Sequence, residues 1–159
     1  MSLVLGPRSI VVIGYGNELR GDDAIGMIVA EQVASRGWPN VCAIATRQLL
    51  PELAEDLARV GLAIFVDARP LIEQQTQLAD EERVEWQALT PSAGSHSLGH
   101  SSDPQALLAL AAALYGHAPP ARLLAVPARS FELGAPISPL GRRGIEAAIR
   151  SIAELLHHG

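Results

Sequence analysis

The segment between residues 10 and 26, IVVIGYGNELRGDDAIG, constrains the fold of this chain more than any other stretch. A short β-branched apolar run passes through a glycine-rich turn into two adjacent aspartates, Asp22 and Asp23, at the start of a helical pattern. A strand followed by such a turn and a helix is typical of an open α/β sheet, whose ligands bind at the carboxyl ends of the strands. The two carboxylates are therefore predicted to lie at the edge where such a fold binds its ligand.

Strand and helix patterns alternate along the rest of the chain, which favours a mostly parallel sheet covered on both faces. We predict one domain over residues 1–159, a three-layer α/β/α sandwich with a twisted sheet of about five strands. Asp103 is the expected N-cap of a helix that Gly116 ends. The predicted strands are 10–13, 41–45, 62–66, 83–86 (an edge strand) and 123–126, and the predicted helices are 23–36, 51–60, 104–115 and 139–156.

Composition excludes several classes of function. The net charge of −5 argues against a nucleic-acid binder, and all twelve basic residues are arginine, which excludes a Schiff-base lysine and a phosphate-binding loop lysine. The single cysteine, Cys42, excludes an internal disulfide and a cysteine-rich zinc site, and it is predicted to be a small buried hydrophobe. No apolar stretch reaches the ~20 residues of a membrane span, and the N-terminus has no signal-peptide pattern. We expect a cytoplasmic monomer.

The turn after the first strand also invites a nucleotide-binding interpretation. Gly14 and Gly16 match the first two glycines of GxGxxG, but the third position is Leu19. The second strand ends at Thr46, where an acidic residue would hold a ribose. A flavodoxin-like nucleotide-binding enzyme remains only as an alternative.

The aspartate doublet has a structural and a functional interpretation. Aspartate is a favoured N-cap, but only one of two neighbours can occupy the cap, and the second is repelled unless a cation or a proton is present. Asp67 follows the buried run LAIFV and is expected at the same edge of the sheet. Its alternative role is simply to lead the chain out of the sheet into solvent.

Two histidines, His96 and His100, lie in the loop SAGSHSLGHSS that precedes Asp103. A lone loop histidine is usually just exposed, and the spacing excludes an HExxH zinc site. An imidazole that met Asp23 and Asp67 would complete an O,O,N site with open positions. Such a site suits zinc or nickel and can polarise a carbonyl or activate water.

The run GNELRGDDAIG at residues 16–26 resembles the GNxLxxDDxxG signature of the hydrogenase maturation proteases. These endopeptidases trim the C-terminal extension from the large subunit of [NiFe] hydrogenases. The resemblance extends to looser features along most of the chain. They are Val66-Asp67-Ala68, the histidine loop before a Leu/Ala-rich helix, and Leu133-Gly134 with Ile137-Ser138-Pro139 after the last strand.

The resemblance implies a nickel-dependent processing endopeptidase. Its metal-binding and catalytic residues fall on Asp23, Asp67 and His100, with His100 preferred to His96 by its spacing to the following helix. Asp22 then serves the helix start, while Asn17 and the backbone of Gly16 shape the pocket. The implied partner is the large-subunit precursor after nickel insertion. The nickel belongs to that substrate, zinc or cadmium can replace it in crystals, and no organic cofactor is implied.

Two departures from the family pattern point to a divergent subgroup with a different partner hydrogenase. Many members carry Glu where this chain has Asp23, and many have a glycine-containing loop where it has TRQLLP at residues 46–51. Besides a protease, the residues also allow a metal-site chaperone or checkpoint module that binds the precursor without cutting it.

Overall fold

The computed structural model describes residues 5–71, 83–92 and 103–158. Its strands form one five-stranded sheet in the order β2-β1-β3-β5-β4. The β2, β1, β3 and β5 strands run parallel, and β4 is an antiparallel edge strand on β5, so the predicted mostly parallel sheet is confirmed. The strands are β1 (Ile10–Tyr15), β2 (Val41–Thr46), β3 (Leu62–Pro70), β4 (Glu85–Leu89) and β5 (Ala121–Ala128).

Helices cover both faces of this sheet. The helices are α1 (Ile25–Arg36), α2 (Leu53–Arg59), α3 (Pro104–Tyr115) and α4 (Pro139–His158), and a short 3₁₀ helix over Gly21–Ala24 leads into α1. Two apolar cores separate the layers: α1 and α4 pack on one face, and α2 and α3 pack on the other. The three-layer α/β/α sandwich is therefore confirmed. Within the described ranges, no helix is both long and apolar enough to cross a membrane.

Local signals placed several helix ends correctly. The Asp103 carboxylate accepts hydrogen bonds from the backbone N–H groups of Gln105 (3.0 Å) and Ala106 (3.2 Å), so it caps α3 as predicted. The residues after α1 and α3, Gly37 and Gly116, have φ values of 61° and 78°, the left-handed conformation that glycine adopts readily.

Other predictions need correction. The α-helix expected from residue 23 begins at Ile25, after the 3₁₀ helix. The strand expected to end before Asp67 continues to Pro70, because β5 pairs with β3 as far as Ala128. Cys42 lies in β2 as expected, but as an edge-strand residue it is only partly buried.

The start of α1 lies directly against the sheet. At Gly26 an added Cβ would be 2.4 Å from the backbone oxygen of Val66 and 2.6 Å from that of Tyr15. Only a residue without a side chain permits this approach. The close contact holds the preceding 3₁₀ helix, which carries Asp22 and Asp23, at the carboxyl ends of β1 and β3.

Candidate functional site

Asp67 lies on β3 at the point where pairing with β1 ends. The β1–β3 register runs from Ile10 opposite Leu62 to Gly14 opposite Val66, so the next step places Tyr15 beside Asp67. The Tyr15 side chain is 2% exposed and forms a side-chain hydrogen bond with Asp67. A second bond comes from the backbone N–H of Ala68, which donates to Asp67 Oδ1 over 2.8 Å. The carboxylate is thus held in a fixed position on the α2/α3 side of the sheet.

Asp23 reaches the same edge from the 3₁₀ helix. Its Oδ2 accepts a 2.7 Å hydrogen bond from the backbone N–H of Asn17. The turn passes very close to it: Gly16 has φ 147°, and an added Cβ there would be 1.9 Å from the backbone oxygen of Asp23. The Gly16 backbone and the Asn17 amide are therefore immediate neighbours of Asp23.

The two carboxylates lie close enough to influence each other. Burial and the negative charge of Asp23 together raise the pKa of Asp67 to about 6, although the hydrogen bonds from Ala68 and Tyr15 oppose the rise. Burial and the charge of Asp67 likewise raise the pKa of the Tyr15 phenol. A pair of neighbouring carboxylates is stabilised by a shared proton or a bound cation. The pair therefore fits the oxygen half of the predicted metal site.

Asp22 has a different role from the predicted helix cap. Its side chain is fully buried and does not cap α1, whose N-cap residue is Ala24. Instead, its carboxylate accepts hydrogen bonds from groups of the β5–α4 connection. The donors are the backbone N–H groups of Arg129 (2.8 Å), Ser130 (3.1 Å) and Ser138 (2.8 Å) and the Ser138 hydroxyl (2.6 Å).

The buried Asp22 carboxylate therefore joins the 3₁₀ helix to the β5–α4 connection, more than 100 residues later in the chain. Burial works against its ionised form, but the hydrogen bonds from Ser138, Arg129 and Ser130 prevail and lower the pKa of Asp22. The backbone N–H of Asp22 also donates to the Ser130 carbonyl over 2.6 Å. Asp22 therefore fixes the 3₁₀ helix that carries Asp23, whereas the Asp23 carboxylate accepts from Asn17 and acts electrostatically on Asp67.

The predicted third ligand, His100, and its alternative, His96, lie outside the described residues. Asp103, three positions after His100, is close enough for its charge to raise the pKa of the Tyr15 phenol. Before residues 93–102, the backbone N–H of Ser92 donates to the Gln105 carbonyl over 3.1 Å. Among the described residues, no three His, Cys, Asp or Glu side chains are grouped to hold a metal ion.

Two residues near the carboxylates were not identified from the sequence. The position of Tyr15 beside Asp67 follows from the register between β1 and β3, which the sequence analysis did not predict. Arg47 follows β2, and its guanidinium donates to Asn17 Oδ1 over 3.4 Å. The TRQLLP segment stood out as a departure from the family pattern, but nothing in the sequence placed Arg47 beside Asn17.

Solved structures of hydrogenase maturation proteases share this fold. HycI from Thermococcus kodakarensis KOD1 matches with a TM-score of 0.69 and 24% identity, over 94% of this chain and 92% of its own. HybD from E. coli matches with a TM-score of 0.70 and 22% identity, over 95% and 94%. The hydrogenase 2 maturation peptidase from Thaumarchaeota archaeon SCGC_AB-539-E09 matches with a TM-score of 0.68 and 21% identity, over 94% and 99%.

No protein-family model and no curated protein sequence matches the chain. The structural likeness nevertheless spans nearly the whole chain and nearly the whole of each of these proteins. The chain therefore has the fold of the hydrogenase maturation proteases, as the resemblance of its first motif implied.

Proposed function

We propose that this protein is a processing endopeptidase that removes the C-terminal extension of a [NiFe] hydrogenase large-subunit precursor after nickel insertion. The observation that carries the proposal is the meeting of Asp23 and Asp67 at the carboxyl edge of the sheet, in a fold shared with such proteases. The reaction is a hydrolysis in which water adds across one peptide bond and the extension leaves with a new amino terminus.

The carboxylates suit the recognition of a metal-bearing substrate. Asp23 and Asp67 supply two oxygen ligands whose mutual repulsion a cation relieves. His100 is proposed as the third ligand, and its neighbour Asp103 lies near Tyr15. Nickel held by the precursor's own residues would bind these side chains, orient the chain and polarise the adjacent carbonyl. Precursor without nickel would lack the ion that these ligands recognise.

The test is incubation of the purified protein with nickel-loaded and nickel-free precursor, followed by intact-mass measurement of the precursor. We expect the nickel-loaded form alone to lose its extension. Asp23→Asn, Asp67→Asn and His100→Ala should each abolish processing while circular dichroism shows a folded protein. Glu18→Gln removes an exposed carboxylate from the same turn and should process normally.

Several outcomes would contradict the proposal. Stable binding of the nickel-loaded precursor without shortening would identify the protein as a non-cleaving checkpoint module. Equal processing of nickel-free precursor would remove the nickel requirement. Retained processing in His100→Ala with loss in His96→Ala would transfer the ligand role to His96.

A further inference from the structure

A cleft opens beside the carboxylates, at the carboxyl end of β2. It has a volume of about 470 Å³ and is lined by Asn17, Thr46, Arg47, Gln48 and Leu50. The β1–β2 register places Thr46 opposite Tyr15, so the cleft and Asp67 flank the end of β1 from opposite sides. Asn17, which lines the cleft, also donates its backbone N–H to Asp23, so the cleft and the carboxylates are neighbours at this edge.

The loop that forms the cleft is held in place by its own contacts. Leu49 is 8% exposed and belongs to the core between the sheet and α2. The Thr46 hydroxyl donates to the Gln48 carbonyl over 2.8 Å. The neighbouring side chains of Arg47, Gln48 and Leu50 are exposed. The buried Leu49 side chain thus fixes the loop. Its exposed side chains are a cation, an amide and an apolar group.

Asn17 connects this loop to the carboxylate site. Its backbone N–H donates to Asp23, and its Oδ1 accepts from Arg47. Within residues 5–71, 83–92 and 103–158, no carboxylate forms an ion pair with Arg47, and its side chain is exposed. The site therefore has opposite charges on its two sides: carboxylates at Asp23 and Asp67, and a guanidinium at Arg47.

We propose that Arg47 and its cleft form a subsite for a carboxylate on the substrate peptide, located within a few residues of the cleaved bond. A guanidinium binds a carboxylate through two parallel hydrogen bonds, which gives geometric selectivity as well as attraction. Leu50 adds apolar contact for a neighbouring side chain. The proposal rests on the proposed function for the identity of the peptide, but binding can be measured without cleavage.

The test uses short acetylated peptides of the form Ala-Ala-X-Leu-Ala-amide, with X as Glu, Gln or Lys. A fourth peptide has Gln at X and a free terminal carboxylate. NMR titration of the ¹⁵N-labelled full chain follows the Asn17 amide and the Arg47 Nε–H. We expect the Glu peptide to bind about three- to tenfold more tightly than the Gln peptide. If the fourth peptide bound more tightly than the Gln peptide and the Glu peptide did not, the subsite would be assigned to a terminal carboxylate.

Charge variants make this test specific. Arg47→Gln should abolish the preference for Glu, and Arg47→Glu should reverse it in favour of the Lys peptide. Arg150→Gln, at an exposed position of α4, changes the net charge equally and should preserve the preference. Equal binding of the four peptides by the wild-type protein, or a preference that survives in Arg47→Gln, would overturn the proposal.

Cleavage of the nickel-loaded precursor is measured separately, so the two proposals fail independently. Carboxylate-selective binding without cleavage would leave the subsite standing and remove the protease function. Cleavage with no selectivity among the peptides would retain the protease and remove the subsite.

Discussion

The Tyr15 hydroxyl is hydrogen-bonded to the Asp67 carboxylate across the end of the β1–β3 pair. This contact joins a nearly inaccessible phenol to a carboxylate whose pKa is raised to about 6. Because a phenol donates only while it is protonated, and burial raises its pKa, Tyr15 is a permanent donor at neutral pH. It therefore stabilises the ionised form of Asp67 beside a second carboxylate.

Removing that donor should raise the pKa of Asp67 further. In Tyr15→Phe the ionised carboxylate loses one hydrogen bond while burial and the charge of Asp23 remain. We expect the pKa of Asp67 in this variant to exceed the wild-type value of about 6. The chemical shift of its carboxyl carbon, followed by ¹³C NMR during a pH titration, measures this pKa. Tyr115→Phe removes an exposed hydroxyl and should leave the titration unchanged. An unchanged or lower pKa in Tyr15→Phe would show that the bond does not stabilise the carboxylate.

Asp67 should also make the metal-free protein less stable as the pH rises. Its carboxyl keeps a proton up to about pH 6 in the folded state, whereas it loses the proton near pH 4 when unfolded. Between these values the folded state binds more protons, so this group's contribution to the free energy of unfolding falls as pH rises and levels off above pH 6.

Asp67→Asn should remove this effect of pH. We expect the variant to be more stable than the wild type by about 1–3 kcal/mol at pH 7, with the difference shrinking toward pH 4. Urea denaturation at several pH values, with a chelator present, measures the difference. Glu146→Gln, at an exposed position of α4, should show no such trend. A variant less stable than the wild type at pH 7 would contradict the argument.

Asp22 should matter for stability more than its neighbour. Asp22→Ala leaves the Ser138 hydroxyl and three backbone N–H groups without their acceptor, so we expect a loss of about 3–5 kcal/mol in the free energy of unfolding. Asp23→Ala removes one hydrogen bond and should lose no more than about 1.5 kcal/mol. Equal losses in the two variants would show that the Asp22 carboxylate contributes no more to stability than the Asp23 carboxylate.

The contribution of Asp22 to the free energy of unfolding changes with pH in the opposite direction to that of Asp67. Because its pKa is lowered in the folded state, the stability it contributes is present above the unfolded value near 4 and is lost as pH falls through the folded value. Denaturation of the wild type between pH 5 and pH 2 should show this loss. Asp22→Asn, which has no ionisable group, should show a weaker dependence over the same range.

The close contact of α1 with the sheet gives a further prediction. Gly26→Ala places a methyl group within 2.4 Å of the Val66 oxygen, so α1 must move away from the sheet. We expect a loss of about 1–3 kcal/mol in urea denaturation and a displaced Asp23, visible as a shift of the Asn17 amide resonance. Gly6→Ala, where an added Cβ meets no atom within 4 Å, is the control. An unshifted Asn17 amide in Gly26→Ala would contradict the positioning role.

The sequence by itself determined the elements and their order, because the signals are local. Apolar runs specified the four parallel strands but not the bounds of the polar edge strand, which lies at Glu85–Leu89 instead of 83–86. Asp103 with Gly116 specified the ends of α3 through contacts within a few residues. The same local patterns placed Asp67 at the carboxyl edge. They missed the continuation of β3 to Pro70, because a strand's length depends on its neighbour β5.

Only the tertiary structure showed what the Asp22 carboxylate binds. The partners of Asp22 lie 107 to 116 residues away in the chain. No local pattern could therefore distinguish a helix cap from a buried carboxylate that binds a distant segment. The pairing of Tyr15 with Asp67 likewise follows from the register between two strands. Local propensity decides which residues form strands and helices, but the side chains that meet at an edge are decided by how those elements pack.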